Sequence, residues 1–375
     1  MKIVIAPDSF KGSLTASEAA DAIETGFCRV YPDAEYVKVP MADGGEGTVQ
    51  SLVDATSGTI INHSVSGPMG DLVEGFFGIL GDSQTAVIEM AAASGIRLVK
   101  SEERNIYLAS SYGTGQLINA AMDYGCDKLI VGLGGSATND GGMGMMKAFG
   151  AQFLDQSGTP LLPDVRALLQ LERIDLQYLD PRLGKTEMVV AYDVDNPLCG
   201  ENGAAMIFGP QKGATEDDIL VLDQALTRYG NVLAKDTGRN ITTEPGAGAA
   251  GGLGAAFIGL IDAVLKPGVD LVIEIVDFVK SVVDADLVIT GEGRVDSQTI
   301  HGKTLIGVAK IAKSNDIPVI CIAGSIGSGV DLAHQMGIDK IYSVTEGDSD
   351  LNKALIEPEY KLTQTAQKIA KILNL

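Results

Sequence analysis

Apolar residues along the chain come in short β-branched runs, several of them followed by a glycine-containing loop and then a helical pattern. Lys2-Ile3-Val4-Ile5-Ala6 is the first such run. Behind it, Thr15 and Glu18 are spaced as a capping box, and Ala19, Ile23, Phe27 and Val30 form an apolar stripe; together they predict a helix over 16–30. A second run at 36–41 leads through glycines to a helix beginning near Thr48. Runs at 128–133, 187–192, 286–290, 317–323 and 340–344 are of the same kind. Apolar strands alternating with helices predict parallel sheets buried on both faces, an α/β fold. Ligands of such sheets bind beyond the carboxyl ends of the strands, so the chemistry is expected in the loops after these runs.

The middle of the chain breaks the alternation. Three strand-like runs, 59–65, 74–80 and 85–90, are separated only by Ser66-Gly67-Pro68-Met69-Gly70 and Gly81-Asp82-Ser83. A β-meander inside an α/β chain predicts a second α/β domain inserted into the first. The inserted domain is expected at 65–280, with 1–64 and 281–375 forming one discontinuous parallel-sheet domain. The unit at 128–149 fits either. Residues 352–373 predict a closing amphipathic helix, and 246–254 is a glycine-rich low-complexity stretch.

Composition narrows the partners. Against 49 Asp+Glu there are 28 Lys+Arg, a net charge of −21, which argues against nucleic acid or an anionic membrane and leaves room for a small anion in a local basic pocket. No stretch approaches the roughly 18 apolar residues of a membrane span, and the first apolar run is too short for a signal peptide. A cytoplasmic location is expected. Cys28, Cys126, Cys199 and Cys321 lie far apart and are expected to be reduced, buried thiols. His63, His301 and His334 are not at metal-ligand spacing. Glycine is the outlier, at 46 of 375 residues against roughly 7% in average usage, and points to tight turns or backbone close to something bound.

Five loops carry candidate chemistry. Ser9, Lys11 and Ser13 lie between the first strand and its helix, where backbone N–H groups and the helix dipole attract a phosphate or carboxylate. Asp43 and Glu46 stand among glycines after the second run; Asp43, nearer the strand, is the better placed to hold Mg2+ or orient a polar substrate. The third loop, Gly132-Leu133-Gly134-Gly135-Ser136-Ala137-Thr138-Asn139-Asp140-Gly141-Gly142, looks like a backbone cradle for phosphates. Gly132, Gly134 and Ala137 also match the dinucleotide fingerprint, with Asp155 at the ribose position, but 138–142 is a poor start for the helix that motif requires. A nicotinamide-dependent oxidoreductase is therefore an alternative, as is a non-catalytic carboxylate-binding protein. Asp193 and Asp195 suit general-base or metal work, with an Asx-turn before Pro197 as the plain explanation. In the fifth loop Glu292 is an acid and Arg294 a guanidinium fork suited to a carboxylate or phosphate. Gly302-Lys303-Thr304 ends like a P-loop, yet position 297 is serine where that motif needs glycine, leaving only Lys303 at a helix start. Ala323-Gly324-Ser325 is expected to be a turn.

Anion cradles, Lys, Arg and carboxylates beside glycines are the parts of phosphoryl transfer. Ala6-Pro7-Asp8-Ser9-Phe10-Lys11-Gly12-Ser13-Leu14, with Met41-Ala42-Asp43-Gly44-Gly45-Glu46-Gly47-Thr48, closely resembles the bacterial type-one glycerate kinases. The blocks at 132–142, 193–198 and 290–296 extend the likeness in the family's order, and the whole length is similar; Tyr192 departs from it, standing where cysteine is commoner. The resemblance implies ATP-dependent phosphorylation of D-glycerate with Mg2+, by a flavodoxin-like (Rossmann-like) domain and a second α/β domain. It implies 2-phosphoglycerate as product, or else 3-phosphoglycerate, in the breakdown of glycerate derived from glyoxylate, galactarate or glucarate. On this reading Arg294, assisted by Ser9 or Asn139, takes the glycerate carboxylate and Lys11 neutralises the transferring phosphoryl group. Asp193 accepts the hydroxyl proton, Asp43 or Asp296 holds Mg2+, and Gly134, Gly135, Ser136, Thr138, Gly291 and Gly293 hold the nucleotide.

Overall fold

The computed structural model describes residues 1–297, 304–345 and 356–373. Its strands are β1 (Lys2–Pro7), β2 (Glu35–Lys38), β3 (Thr59–Ser66), β4 (Leu72–Ile79), β5 (Thr85–Glu89), β6 (Lys128–Gly132) and β7 (Gln152–Leu154). Then come β8 (Arg173–Asp175), β9 (Glu187–Tyr192), β10 (Val264–Pro267), β11 (Leu287–Val295), β12 (Val319–Ile326) and β13 (Lys340–Ser343). The chain divides into two compact units. Met1–Asp43, Gln50–Ser57 and Val269–Leu375 form the first; Gly44–Val49 and Gly58–Gly268 form the second.

The first unit is built on a parallel sheet in the order β13-β12-β11-β1-β2. Ile3, Val4, Ile5 and Ala6 of β1 are fully buried, as a central strand covered on both faces requires. Counted within this unit the strand order is second, first, third, fourth, fifth. That is the flavodoxin-like winding, whose switch point lies between its first and third strands, here β1 and β11. The helices Ala16–Cys28 and Pro358–Leu373 share a core with β1 through Ala19, Ile23, Phe27, Leu362, Ala366 and Ile369. The first of them has the expected capping box: Thr15 N–H donates to Glu18 Oε2 at 2.8 Å and Glu18 N–H to Thr15 Oγ1 at 3.2 Å.

The second unit holds a mixed sheet in the order β10-β9-β6-β5-β4-β3. β5, β6, β9 and β10 pair in parallel, and the meander β3-β4-β5 is antiparallel. β7, the possible strand that Asp155 ends in the dinucleotide-fingerprint reading, makes a separate antiparallel pair with β8; β8 and β10 are strands that the sequence patterning passes over.

Elsewhere glycine misleads as a loop signal. β11 runs through Gly291 and Gly293 to Val295, and β12 runs through Gly324 to Ile326, so 323–325 is strand rather than turn. The glycines serve close approach instead: a Cβ on Gly291 would lie 2.4 Å from the Ile322 carbonyl oxygen, and one on Gly324 2.5 Å from that of Gly293. β2 ends at Lys38, yet the Val39 and Met41 N–H groups still donate to Ile5 and Pro7 of β1 at 2.8 and 2.9 Å, which carries Asp43 along β1. A border at 64/65 would cut β3, which pairs with β4 from Thr59↔Ile79 to Ser66↔Leu72; the units divide at 57/58 and 268/269, with 44–49 grouped in the second. Cys28 is exposed and Cys199 half-buried, contrary to the expectation of four buried thiols. His301, Lys303 and residues 352–355 of the expected last helix lie outside the described residues. Among the described residues no helix is long and apolar enough to cross a membrane.

Candidate active site

Beyond the carboxyl ends of β1 and β11, at the switch point, the first unit encloses a cavity of about 310 Å³. The loop after β1 brings Ser9 and Lys11 to it, the segment alongside β1 brings Asp43, and the end of β11 brings Gly293, Arg294 and Asp296. Six expected site residues thus meet in one place. Gly291 does not line the cavity; it lies inside the sheet, in register with Pro7 of β1 and Ile322 of β12.

Charges of opposite sign stand in pairs at the cavity. Lys11 Nζ stands 3.6 Å from Asp43 Oδ2, and Arg294 Nε donates to Asp296 Oδ2 at 3.1 Å. Asp8, overlooked as a site residue in the sequence, is buried at the wall and accepts from Thr304 Oγ1 at 2.7 Å and from the Ser9 N–H at 2.6 Å. Burial first, then the neighbouring Asp43, pushes its carboxyl up to about 6, against the pull of those donors and of Lys11. Ser325, also on the wall, has a buried Oγ with no hydrogen-bond partner among the described residues. The helix N-terminus expected to attract an anion here is occupied by the Thr15–Glu18 box, and Ser13 Oγ donates to the Phe10 carbonyl at 2.9 Å.

In the second unit β5, β6, β9 and β10 end on one edge of the sheet. Glu89, the last residue of β5, accepts the Gly47 and Val49 N–H groups at 3.0 and 2.9 Å. Burial pushes its carboxyl up to about 7 although these N–H donors stabilise the anion. The 44–49 segment is thereby tied to the strand ends. A Cβ on Gly132 would meet the Gly44 carbonyl oxygen at 2.4 Å, and one on Gly134 would meet Gly45 Cα at 2.8 Å. These two glycines are required by backbone packing, whatever else the loop holds.

The rest of the third loop is mostly buried. Gly135 is exposed, whereas Ser136, Thr138 and Asn139 are 7%, 0% and 0% exposed. Both amide atoms of Asn139 are without hydrogen-bond partners among the described residues. Asp140 accepts from Ser111 N–H and Oγ and from the Gly142 and Gly144 N–H groups, which pins the loop's far end. The helix that follows, Met143–Ala148, has six residues and begins well past Gly134, so the dinucleotide fingerprint lacks its helix N-terminus. Asp193, exposed, is the first residue past β9; Ala191 of β9 is in register with Gly132, so Asp193 and the glycine loop leave the same edge. Asp8, Glu89 and Lys212 are the polar groups that sequence reasoning missed. Asp8 stood inside a quoted motif, but nothing local marks Lys212, whose partners lie 74 and 76 residues away.

The glycerate kinase family model matches residues 3–374 of the chain. The glycerate kinase of Bacillus subtilis (strain 168) is 55% identical over 375 residues, covering 100% of this chain and 98% of its own. The glycerate 2-kinase of Escherichia coli (strain K12) is 49% identical over 373 residues, with 100% and 98% covered. A solved structure from Salmonella typhimurium LT2, described as a glycerate kinase 2, matches at a TM-score of 0.90 and 48% identity, covering 100% of this chain and 98% of that one. Likeness on this scale, over the full set of loops just described, makes the chain a phosphotransferase that belongs to the glycerate kinase family.

Proposed function

We propose that the protein transfers the terminal phosphoryl group of ATP to D-glycerate and yields 2-phosphoglycerate and ADP, in the use of glycerate derived from glyoxylate, galactarate or glucarate. The observation that carries the reading is the switch-point cavity, where Lys11 and Arg294, two cations in a chain of net charge −21, line one small space. Arg294 offers a planar fork of five donors, the geometry a glycerate carboxylate asks for, and Ser9 lines the same cavity. Lys11 neutralises charge on the phosphoryl group. The 2-position is favoured by the name of the Escherichia coli relative, a glycerate 2-kinase.

Among the described residues no three His, Cys, Asp or Glu side chains cluster as a metal cage. That suits Mg2+, which is usually bound through one or two carboxylates together with phosphate oxygens and water. Asp43 and Asp296, both at the cavity, fit that donor set, and Mg2+ held there would neutralise phosphate charge. For the hydroxyl proton two acceptors compete: Asp193, the exposed carboxylate past β9, and Asp8, favoured by its place on the cavity wall.

The test is a coupled assay of ADP release with Mg-ATP and D-glycerate, followed by phosphorus NMR of the product. ADP should appear only when glycerate is present, and the product resonance should be a doublet, from the single proton on C2. A triplet, from two protons on C3, would move the phosphate to the other hydroxyl. Glycerate binding without ADP release would reduce the protein to a carboxylate binder.

A further inference from the structure

Lys212 closes the short turn Pro210–Lys212 and is 2% exposed. Its Nζ donates to Ser136 Oγ at 2.9 Å and to the Thr138 carbonyl oxygen at 2.7 Å, both in the glycine loop after β6. Among the described residues these two uncharged oxygens are its hydrogen-bond partners, for a group that has three donors. Asp140, farther along the loop, attracts the ammonium, but burial outweighs it and pulls the pKa down to about 7. A buried cation without a close counter-charge is costly, and chains rarely keep one unless it meets an anion. A second observation points the same way. Asn139, one residue past Thr138, is fully buried with both amide atoms unpartnered among the described residues. The cation and the amide thus stand behind one loop whose outer face is Gly134 and Gly135.

We infer that Lys212 is the positioning cation of the phosphoryl-donor site: it fixes Ser136 and Thr138, shapes the 134–139 backbone for a triphosphate, and lends that loop positive charge. The inference rests on ATP being the phosphoryl donor, as proposed above, and on the family resemblance's assignment of Gly134, Gly135, Ser136 and Thr138 to the nucleotide. Charge held in a low-dielectric interior acts through the loop more strongly than the same charge in water, and it costs no reorganisation when the ligand arrives.

Lys212→Met keeps most of the side chain's length and removes its charge. In the full-length enzyme the expected result is a KM for ATP raised about 10- to 100-fold with the KM for glycerate within about twofold. The melting temperature should hold or rise, because a lone buried charge has gone. A folded variant with an unchanged KM for ATP, or with both KM values raised alike, would overturn the inference; so would a lowered melting temperature with ATP affinity intact, the mark of a merely structural lysine. If Lys212→Met does not fold, Ser136→Ala removes one anchor of the ammonium and should raise the KM for ATP about threefold or more, glycerate unaffected; no rise sinks the idea. The wild-type enzyme run in parallel separates the two levels: without ATP-dependent turnover the loop's assignment falls, and this inference with it.

Discussion

At Asp8 neighbours pull a single carboxyl in opposite directions. Burial and Asp43 favour its neutral form; Thr304, the Ser9 N–H and Lys11 favour the anion; the neutral form gains, up to about 6. The folded pKa lies above the ordinary aspartate value of 3.8, so the folded state holds the proton more tightly. Its stabilising share is complete below about pH 4 and is lost as pH rises through about 6. Asp8→Asn should therefore stabilise the protein at pH 7.5 by about 1–3 kcal/mol in urea unfolding, and hardly at all at pH 4. Turnover separates the two candidate bases. The replacement that removes the true proton acceptor, Asp193→Asn or Asp8→Asn, should cut kcat by about 100- to 10,000-fold, and a near-normal rate eliminates the residue concerned. Residue type alone singled out Lys11 and Arg294 in the sequence, and both line the one cavity. Asp8 and Lys212 were not singled out, because what sets them apart is burial and a partner distant in the chain: Thr304 lies 296 residues from Asp8.

Among the elements, the strands were readable because β-branched runs carry their own period, and the meander was readable because three such runs had no helix between them. What the glycine-rich stretch at 246–254 does was not readable. Within the helix Ala249–Ile261, Ala250, Gly251 and Gly252 are left-handed, with φ of 52°, 71° and 90°. There the kinked chain braces the phosphate-loop candidate: the Gly141 N–H donates to the Gly251 carbonyl at 3.0 Å, and a Cβ on Gly251 would stand 2.0 Å from the Thr138 carbonyl oxygen. Gly251→Ala thus meets both a disfavoured backbone and a collision. It should cost at least about 2 kcal/mol in urea unfolding. It should also weaken ATP binding, since Thr138 must move; a variant of wild-type stability would contradict the brace.

For the molecule as a whole, acid–base balance gathers several such sites. Asp8 at about 6 and Glu89 at about 7 are both raised in the fold, so each contributes less stability as pH climbs from about 4 to 7. Growing negative charge in a chain with a sequence pI of about 4.4 acts in the same direction. The urea midpoint should be higher at pH 5 than at pH 7, and Asp8→Asn with Glu89→Gln should flatten the difference; a midpoint that climbs toward neutrality would refute the account. The unit borders were the least legible feature. Residues 44–49 group with the second unit, where Glu89 accepts two backbone N–H groups 40 and 42 residues earlier, bonds that no local pattern announces.

The strand order of the first sheet also has a consequence during synthesis. β1 leaves the ribosome first, but its neighbour β11 begins at Leu287, and β12, β13 and the helix Pro358–Leu373 come later still. At about 5–20 residues per second that delay is on the order of tens of seconds. All of β3 to β10 are translated meanwhile, so the second unit has its strands in hand while β1 has only β2 and the helix Ala16–Cys28 beside it. The earliest-made strand is thus among the last to gain its full set of neighbours, β11 on one side and the helix Pro358–Leu373 in the shared core.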